Sequence, residues 1–195
     1  MADVRRATAN EAPEPAATLA SAFKNDPVFT WLTPERGRQA RLQRFFAQQL
    51  AITMKHEGVL TTDDYSGVAI WLPPDNWKVA TGDLIRSMPA MIRSFGSRLP
   101  RVLGSLGVIE KNHPKDPPHW YLEFLGTRAD MQRKGVGSSM IGFMLDRCDQ
   151  EAIPAYLEAS SPENVPFYRR HGFEVTQDLQ LKNGPTVWGM WREPR

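Results

Sequence analysis

Apolar residues recur along this chain with two periods, one helical and one strand-like. Between Glu11 and Phe23 the residues Ala16, Leu19, Ala20 and Phe23 share one helical face, and Pro13 and Pro15 sit in a first turn that tolerates them. Asn25-Asp26-Pro27 ends that pattern. Leu42, Phe45, Phe46, Leu50 and Met54 form the stripe of a second helix, predicted from about Glu35 to His56. Thr33 is its expected N-cap, Pro34 its first helical residue and Gly58 its stop. Val4–Ala7, Val59–Thr62 and Val68–Leu72 read as strands, the last two joined by the turn Asp63-Asp64-Tyr65-Ser66-Gly67. Residues 78–112 return to a helical period that Pro89 and Pro100 interrupt, which predicts two or three short helices lying over a sheet as a cap-like insertion. Core packing accounts for the Met and Leu content of that insertion; a cap over a substrate is the other reading.

The C-terminal half alternates. A strand over about Trp120–Thr127 precedes a helix over Gly135–Gln150, then a strand over Ala155–Ala159 and a short helix over Val165–His171. Two strands, Phe173–Leu181 and Val187–Arg192, close the chain around the turn Asn183-Gly184-Pro185. The expected architecture is one α/β (α+β) domain over 1–195, a mixed sheet flanked by helices with the helical insertion between its third and fourth strands.

Composition narrows the class. A chain of 195 residues with 41% hydrophobic and 24% charged residues is ordinary for a globular protein with a sizeable core. A net charge of +2 without a dense Lys/Arg block gives no expectation of nucleic acid. No apolar run reaches the length of a membrane span and no hydrophobic signal region opens the chain, so no membrane partner and a cytoplasmic location are expected. Cys148 is the only cysteine, and its place on the helical stripe suits a buried thiol. His56, His113, His119 and His171 lack the usual ligand spacings, so no metal is expected.

The segment with the most chemistry is Gln132-Arg133-Lys134-Gly135-Val136-Gly137-Ser138, lying between the strand and the helix. Unpaired N–H groups and the positive end of the dipole at a helix start suit a phosphate or pyrophosphate. Glycine lets the ligand approach the backbone closely. A P-loop would need Lys after its second glycine, yet Lys134 precedes Gly135; a dinucleotide loop would need glycine where Met140 stands.

The run reads Gln/Arg-x-x-Gly-x-Gly and resembles the pyrophosphate loop of the GNAT superfamily of N-acetyltransferases, which bind acetyl-CoA. The order of elements is similar to that fold along nearly the whole chain. Within the superfamily three segments resemble the puromycin N-acetyltransferase group: His113-Pro114-Lys115-Asp116-Pro117, Tyr156-Leu157-Glu158-Ala159-Ser160, and Asn164 through Tyr168 to Phe173. The resemblance implies a GNAT-type, mostly antiparallel sheet splayed between the fourth and fifth strands. It implies that Leu125, Gly126 and Thr127 hold the acetyl and pantetheine groups, that Asn164 holds the pantetheine arm, and that Tyr168 protonates the departing thiolate.

An alkyl amine of pKa near 10 is free in only roughly one part in a thousand at pH 7, so a proton acceptor is needed. Glu123 and Glu158 are the candidates. Strand alternation is expected to place Glu123 on the same face as Leu125. Phe29, Trp31, Trp71 and Trp77 are candidate walls for a bulky or aromatic amine. The expected activity is acetyl-CoA-dependent transfer to a small-molecule amine, without metal or covalent intermediate, by a monomer or homodimer. A protein N-terminal or lysine acetyltransferase and a non-catalytic acyl-CoA-sensing module are the alternatives.

Overall fold

A computed structural model describes residues 3–195. Seven strands form one sheet in the order β1-β2-β3-β4-β5-β7-β6. They are β1 (Val4–Arg6), β2 (Val59–Thr62), β3 (Gly67–Leu72), β4 (Trp120–Thr127), β5 (Ala155–Ala159), β6 (Glu174–Gln180) and β7 (Thr186–Arg192). Only β4 and β5 pair in parallel; every other neighbouring pair is antiparallel. β2 and β3 are buried at every position because helices cover both faces of the sheet there.

Alternate residues of these strands feed two cores. Leu60, Ala69, Trp71, Trp120 and Leu122 pack under helix α6 (Val136–Gln150) through Met140, Ile141, Met144 and Cys148. Val59, Val68 and Ile70 pack on the opposite face against α1 (Pro13–Ala22) and α3 (Arg38–Thr53) through Leu19, Leu42, Phe46 and Leu50. Phe23, Phe29, Phe45, Phe46 and Phe124 stack edge-on or tilted at 5.1–6.1 Å on this second face.

The N-terminal helices differ from expectation. Asp26 does not merely end α1. Its side chain accepts from the amides of Val28 and Phe29 and, with Pro27 in the first turn, starts a further helix, α2 (Pro27–Leu32). Thr33 therefore closes α2 rather than opening the next helix, and α3 begins after Gly37, whose φ of 71° suits glycine. Stop and start signals coincide at Asp26-Pro27, so one motif did both jobs.

The insertion is two helices, α4 (Thr81–Phe95) and α5 (Leu99–Asn112). Pro89 lies inside α4 without splitting it. The carbonyl that loses its helical partner belongs to Ile85, four residues earlier, and Ile85 is 68% exposed, so water can take the place of the missing donor. Met91, Phe95 and Val102 pack with Leu32 of α2, whereas Ile85, Ile92, Leu103 and Leu106 face outward. A last short helix, α7 (Val165–Arg170), follows β5.

Candidate active site

Two irregularities in β4 shape the site. On its β3 side Ile70 pairs with Phe124 and Trp71 with Leu122, so Glu123 is an extra, bulged residue. On its β5 side the ladder runs only from Trp120–Ala155 to Leu122–Leu157. Beyond Leu122 the edge of β4 from Glu123 to Thr127 has no strand partner on that side, and the two parallel strands part. The resemblance anticipated this splay, and Leu125, Gly126 and Thr127 all lie on the parted edge.

The bulge overturns the expected alternation. Leu125 packs into the α6 core, whereas Glu123 and Phe124 both turn to the α3 side, Glu123 accepting from Gln49 Nε2 at 3.1 Å. An extra residue in the strand shifts the pleat by one, so Glu123 and Leu125 occupy opposite faces. Glu123 Oε2 is enclosed without a hydrogen-bond partner. Burial pushes the Glu123 carboxyl up to about 7, the charge of Glu158 adds to the rise, and the Gln49 bond opposes it.

Glu158, on β5 just beyond the last residue paired with β4, lies on the same side. It accepts from the Tyr121 hydroxyl at 2.7 Å, while its Oε1 sits 3.7 Å from His113 Nδ1. Burial followed by the charges of Glu158 and Glu123 holds the Tyr121 phenol well above its ordinary pKa, so it remains a donor. The structure therefore brings Glu123 and Glu158 near each other on one face of the sheet, where the charge of Glu158 raises the Glu123 carboxyl.

At the other end of the splay, Gln132, Arg133, Lys134 and Gly135 form an exposed turn before α6, with Arg133 at φ 63° and Gly135 at φ 85°. Val136 is buried and anchors the helix start, leaving the first-turn amides, Gly137 and Ser138 included, to point out of the helix. A Cβ on Gly137 would meet only Thr127 Oγ1 at 3.5 Å and Phe167 at 3.6 Å. Thus α7 and the end of β4 flank the helix start, and the protein's own packing leaves room beside Gly137.

Tyr168 packs with Phe167 and Phe173 beneath α7. Burial, then the charge of Asp26, keeps its phenol well above the ordinary value and hence protonated. Asn164 is exposed at the start of α7, and its side chain makes no capping bond.

Four site residues escaped the sequence reading. Asp26 accepts from the Ser160 hydroxyl, tying the start of α2 to the end of β5 beside Tyr168. Its carboxyl is raised by burial against the hydrogen bonds from Ser160, Phe29 and Val28. Gln49 and His113 adjoin the two carboxylates and His119 lies behind His113; His113 lay in a motif used only for resemblance. The proposed aromatic wall is not assembled. Trp71 is fully enclosed and Phe29 nearly so, both in the cores. Trp31 covers Gly184 and lies under Arg101, and Trp77 alone adjoins the site, stacked on His113 at 4.0 Å. Large aromatics at strand ends fill core volume unless something holds them out.

Among the described residues no His, Cys, Asp and Glu group is arranged to hold a metal ion, and no helix is long and apolar enough to cross a membrane.

Comparison with known proteins bears on this arrangement. The Acetyltransferase (GNAT) family profile matches residues 67–173, from the start of β3 to the end of the α7 segment. An uncharacterized N-acetyltransferase of Schizosaccharomyces pombe is 28% identical over 190 residues, covering 91% of this chain and 76% of that protein. The crystal structure of a histone acetyltransferase HPA2 and related acetyltransferase from Corynebacterium glutamicum superposes with a TM-score of 0.76 at 27% identity, covering 100% of this chain and 98% of that one. A Drosophila melanogaster polyamine N-acetyltransferase, which forms N-acetylagmatine, shares the fold with a TM-score of 0.69 at 12% identity, covering 99% and 100%.

Proposed function

Because this chain belongs to the Acetyltransferase (GNAT) family, we propose that it moves the acetyl group of acetyl-CoA directly onto the amine of a small molecule. The observation that carries the reading is the parted β4–β5 edge, with a cationic turn at one end and paired carboxylates inside. The open space beside Gly137 fits a phosphate held against the backbone. Bound acetyl-CoA supplies an activated thioester.

The chain's own residues supply the rest. Amides of Gly137 and Ser138 hold the pyrophosphate, with Arg133 and Lys134 offering countercharge and Gln132 flanking the turn. Leu125, Gly126 and Thr127 present free strand-edge groups to the acetyl and pantetheine portion, and Asn164 reaches the same arm from α7. Glu123 or Glu158 removes the ammonium proton. Tyr168, kept protonated by its surroundings, gives its proton to the departing thiolate. Two buried carboxylates at the acceptor end favour a cationic amine over a neutral one.

The test is a panel of puromycin, spermidine, agmatine and a lysine peptide, with free thiol and a one-acetyl mass gain as readouts. Acetylation of a small amine is expected. A peptide preferred by more than about tenfold in kcat/KM, some 1.4 kcal/mol of transition-state binding, would move the assignment to a protein acetyltransferase. Coenzyme A binding with no turnover of any amine would leave an acyl-CoA-sensing module.

A further inference from the structure

Behind Glu158 lies a chain of groups that the transfer chemistry above does not use. His119 Nδ1 is 2.8 Å from the carbonyl of Pro117, and His119 Nε2 is 3.0 Å from His113 Nε2. His113 Nδ1 then faces Glu158 Oε1 at 3.7 Å, and neither of these buried atoms has a hydrogen-bond partner among the described residues.

The carbonyl fixes the order of protons. It can only accept, so His119 Nδ1 must carry hydrogen. Burial pushes the His119 imidazole below its ordinary pKa; the Pro117 bond opposes this, His113 adds to it, and Glu158 and Asp75 also oppose it. Neutral His119 thus has a lone pair on Nε2, and His113 Nε2–H donates to it. That leaves His113 Nδ1 bare when the ring is neutral, with its lone pair aimed at a carboxylate oxygen. Two acceptors facing each other in an enclosed site make a slot for one proton.

We propose that Glu158, His113 and His119 form a buried proton couple that serves the acceptor site, with Glu158 taking the ammonium proton and handing it to His113 Nδ1. The inference rests on the acetyltransferase reading and deepens it. When an ammonium becomes an amide its nitrogen loses two protons, and the thiolate takes only one. The other must be held and then released. An N–H bond of the ammonium breaks as an O–H bond forms on Glu158. That O–H breaks in turn as N–H forms on His113 Nδ1, leaving a carboxylate and an imidazolium. After the products leave, the proton returns through Glu158 to solvent.

The surroundings suit a transient cation on His113. Trp77 stacks on its ring at 4.0 Å with an interplanar angle of 18°, and Tyr121 and Tyr156 approach edge-on at 4.8 and 4.9 Å. Trp191 closes the far side of His119 at 5.0 Å. The titratable groups around the couple are Glu158, Glu123, Tyr121, Tyr156 and Asp75. His113 and His119 act through Glu158, so they are positioning residues.

Long-range 1H–15N correlation spectra of the 15N-labelled protein, without ligand, read the ring protons directly. The chain has four histidines, so single substitutions suffice for assignment. His119 is expected as the Nδ1–H tautomer. The His113 Nδ1 resonance, facing the Glu158 carboxylate, should change in Glu158→Gln. A proton on His119 Nε2, or a His113 Nδ1 signal indifferent to Glu158→Gln, would overturn the couple. With the best amine of the panel, His113→Asn offers an amide N–H at the Nδ1 position but cannot store a proton. It should lower kcat/KM at least about tenfold and remove one ionisation from its pH profile, leaving the KM for acetyl-CoA unchanged. A wild-type pH profile in that variant would reduce His113 to a packing residue. If His113→Asn melts early, His113→Gln, which likewise cannot store a proton, takes its place with the same outcomes. No turnover of any amine with the ring signals intact would defeat the transfer reading and the couple's service to an acceptor; turnover without those signals defeats the couple alone.

Discussion

At the scale of single residues, the proposed chemistry rests on side chains whose protonation the fold has shifted. Tyr168→Phe keeps the ring that packs with Phe167 and Phe173 and removes only the donor. Its kcat should fall by about 10²–10⁴ while acetyl-CoA affinity changes little, as checked by steady-state kinetics and calorimetry. Glu123 offers a pH test with two readouts. If it removes the amine proton, kcat/KM climbs as pH rises through about 7, and Glu123→Gln flattens that climb. Stability moves the opposite way. The folded-state pKa lies above the unfolded value, so the contribution is fully present below the unfolded pKa and is lost as pH rises through about 7. The loss approaches about 3 kcal/mol at most, so Glu123→Gln should raise Tm at pH 9 relative to wild type and leave it near wild type at pH 4. An identical Tm difference at both pH values would refute the enclosed-carboxyl picture.

At the scale of elements, two glycines separate ligand space from packing space. Gly137 has room for a Cβ, so Gly137→Val should leave the melting temperature nearly unchanged yet weaken acetyl-CoA binding by tenfold or more in calorimetry. Retained affinity in that variant would remove the α6 start from the cofactor site. Gly126 has no such room: a Cβ there would come within 2.9 Å of Ala22 and 3.0 Å of Leu19. Gly126→Ala should push α1 off β4 and cost about 1–3 kcal/mol in chemical denaturation, whether or not cofactor is present.

At the scale of the whole molecule, the site sits where two separately packed cores meet across one sheet. The α6 core carries the turn proposed to hold the cofactor, and the α1–α3 core carries Gln49 and the Phe cluster. Phe46 is completely buried and touches the rings of Phe23, Phe29, Phe45 and Phe124. Phe46→Ala should cost about 3–5 kcal/mol by urea denaturation. Because that cluster backs the bulge at Glu123, the amine KM should rise more than the acetyl-CoA KM. Equal changes in both would mean the two cores respond as one.

The element order apart from α2, the helix after the glycine turn and the turn itself were legible in the sequence. They depend on periodicity and local backbone chemistry, which act over a few residues. Tyr168 and Glu158 could be named as candidates through the family resemblance, and Glu123 as a carboxylate in an otherwise apolar strand. Their relation to one another could not. A one-residue bulge reversed the face of Glu123, and strand pairing says nothing of a bulge until the partner strand is in place. Asp26 reads as a helix stop until Ser160, 134 residues later, donates to it. The contact between His113 and Glu158 likewise joins a segment before β4 to a residue near the end of β5, so only the tertiary structure decided which buried groups face each other. Local sequence fixes conformation through short-range sterics and burial pattern, whereas protonation depends on charges and enclosure contributed by distant segments.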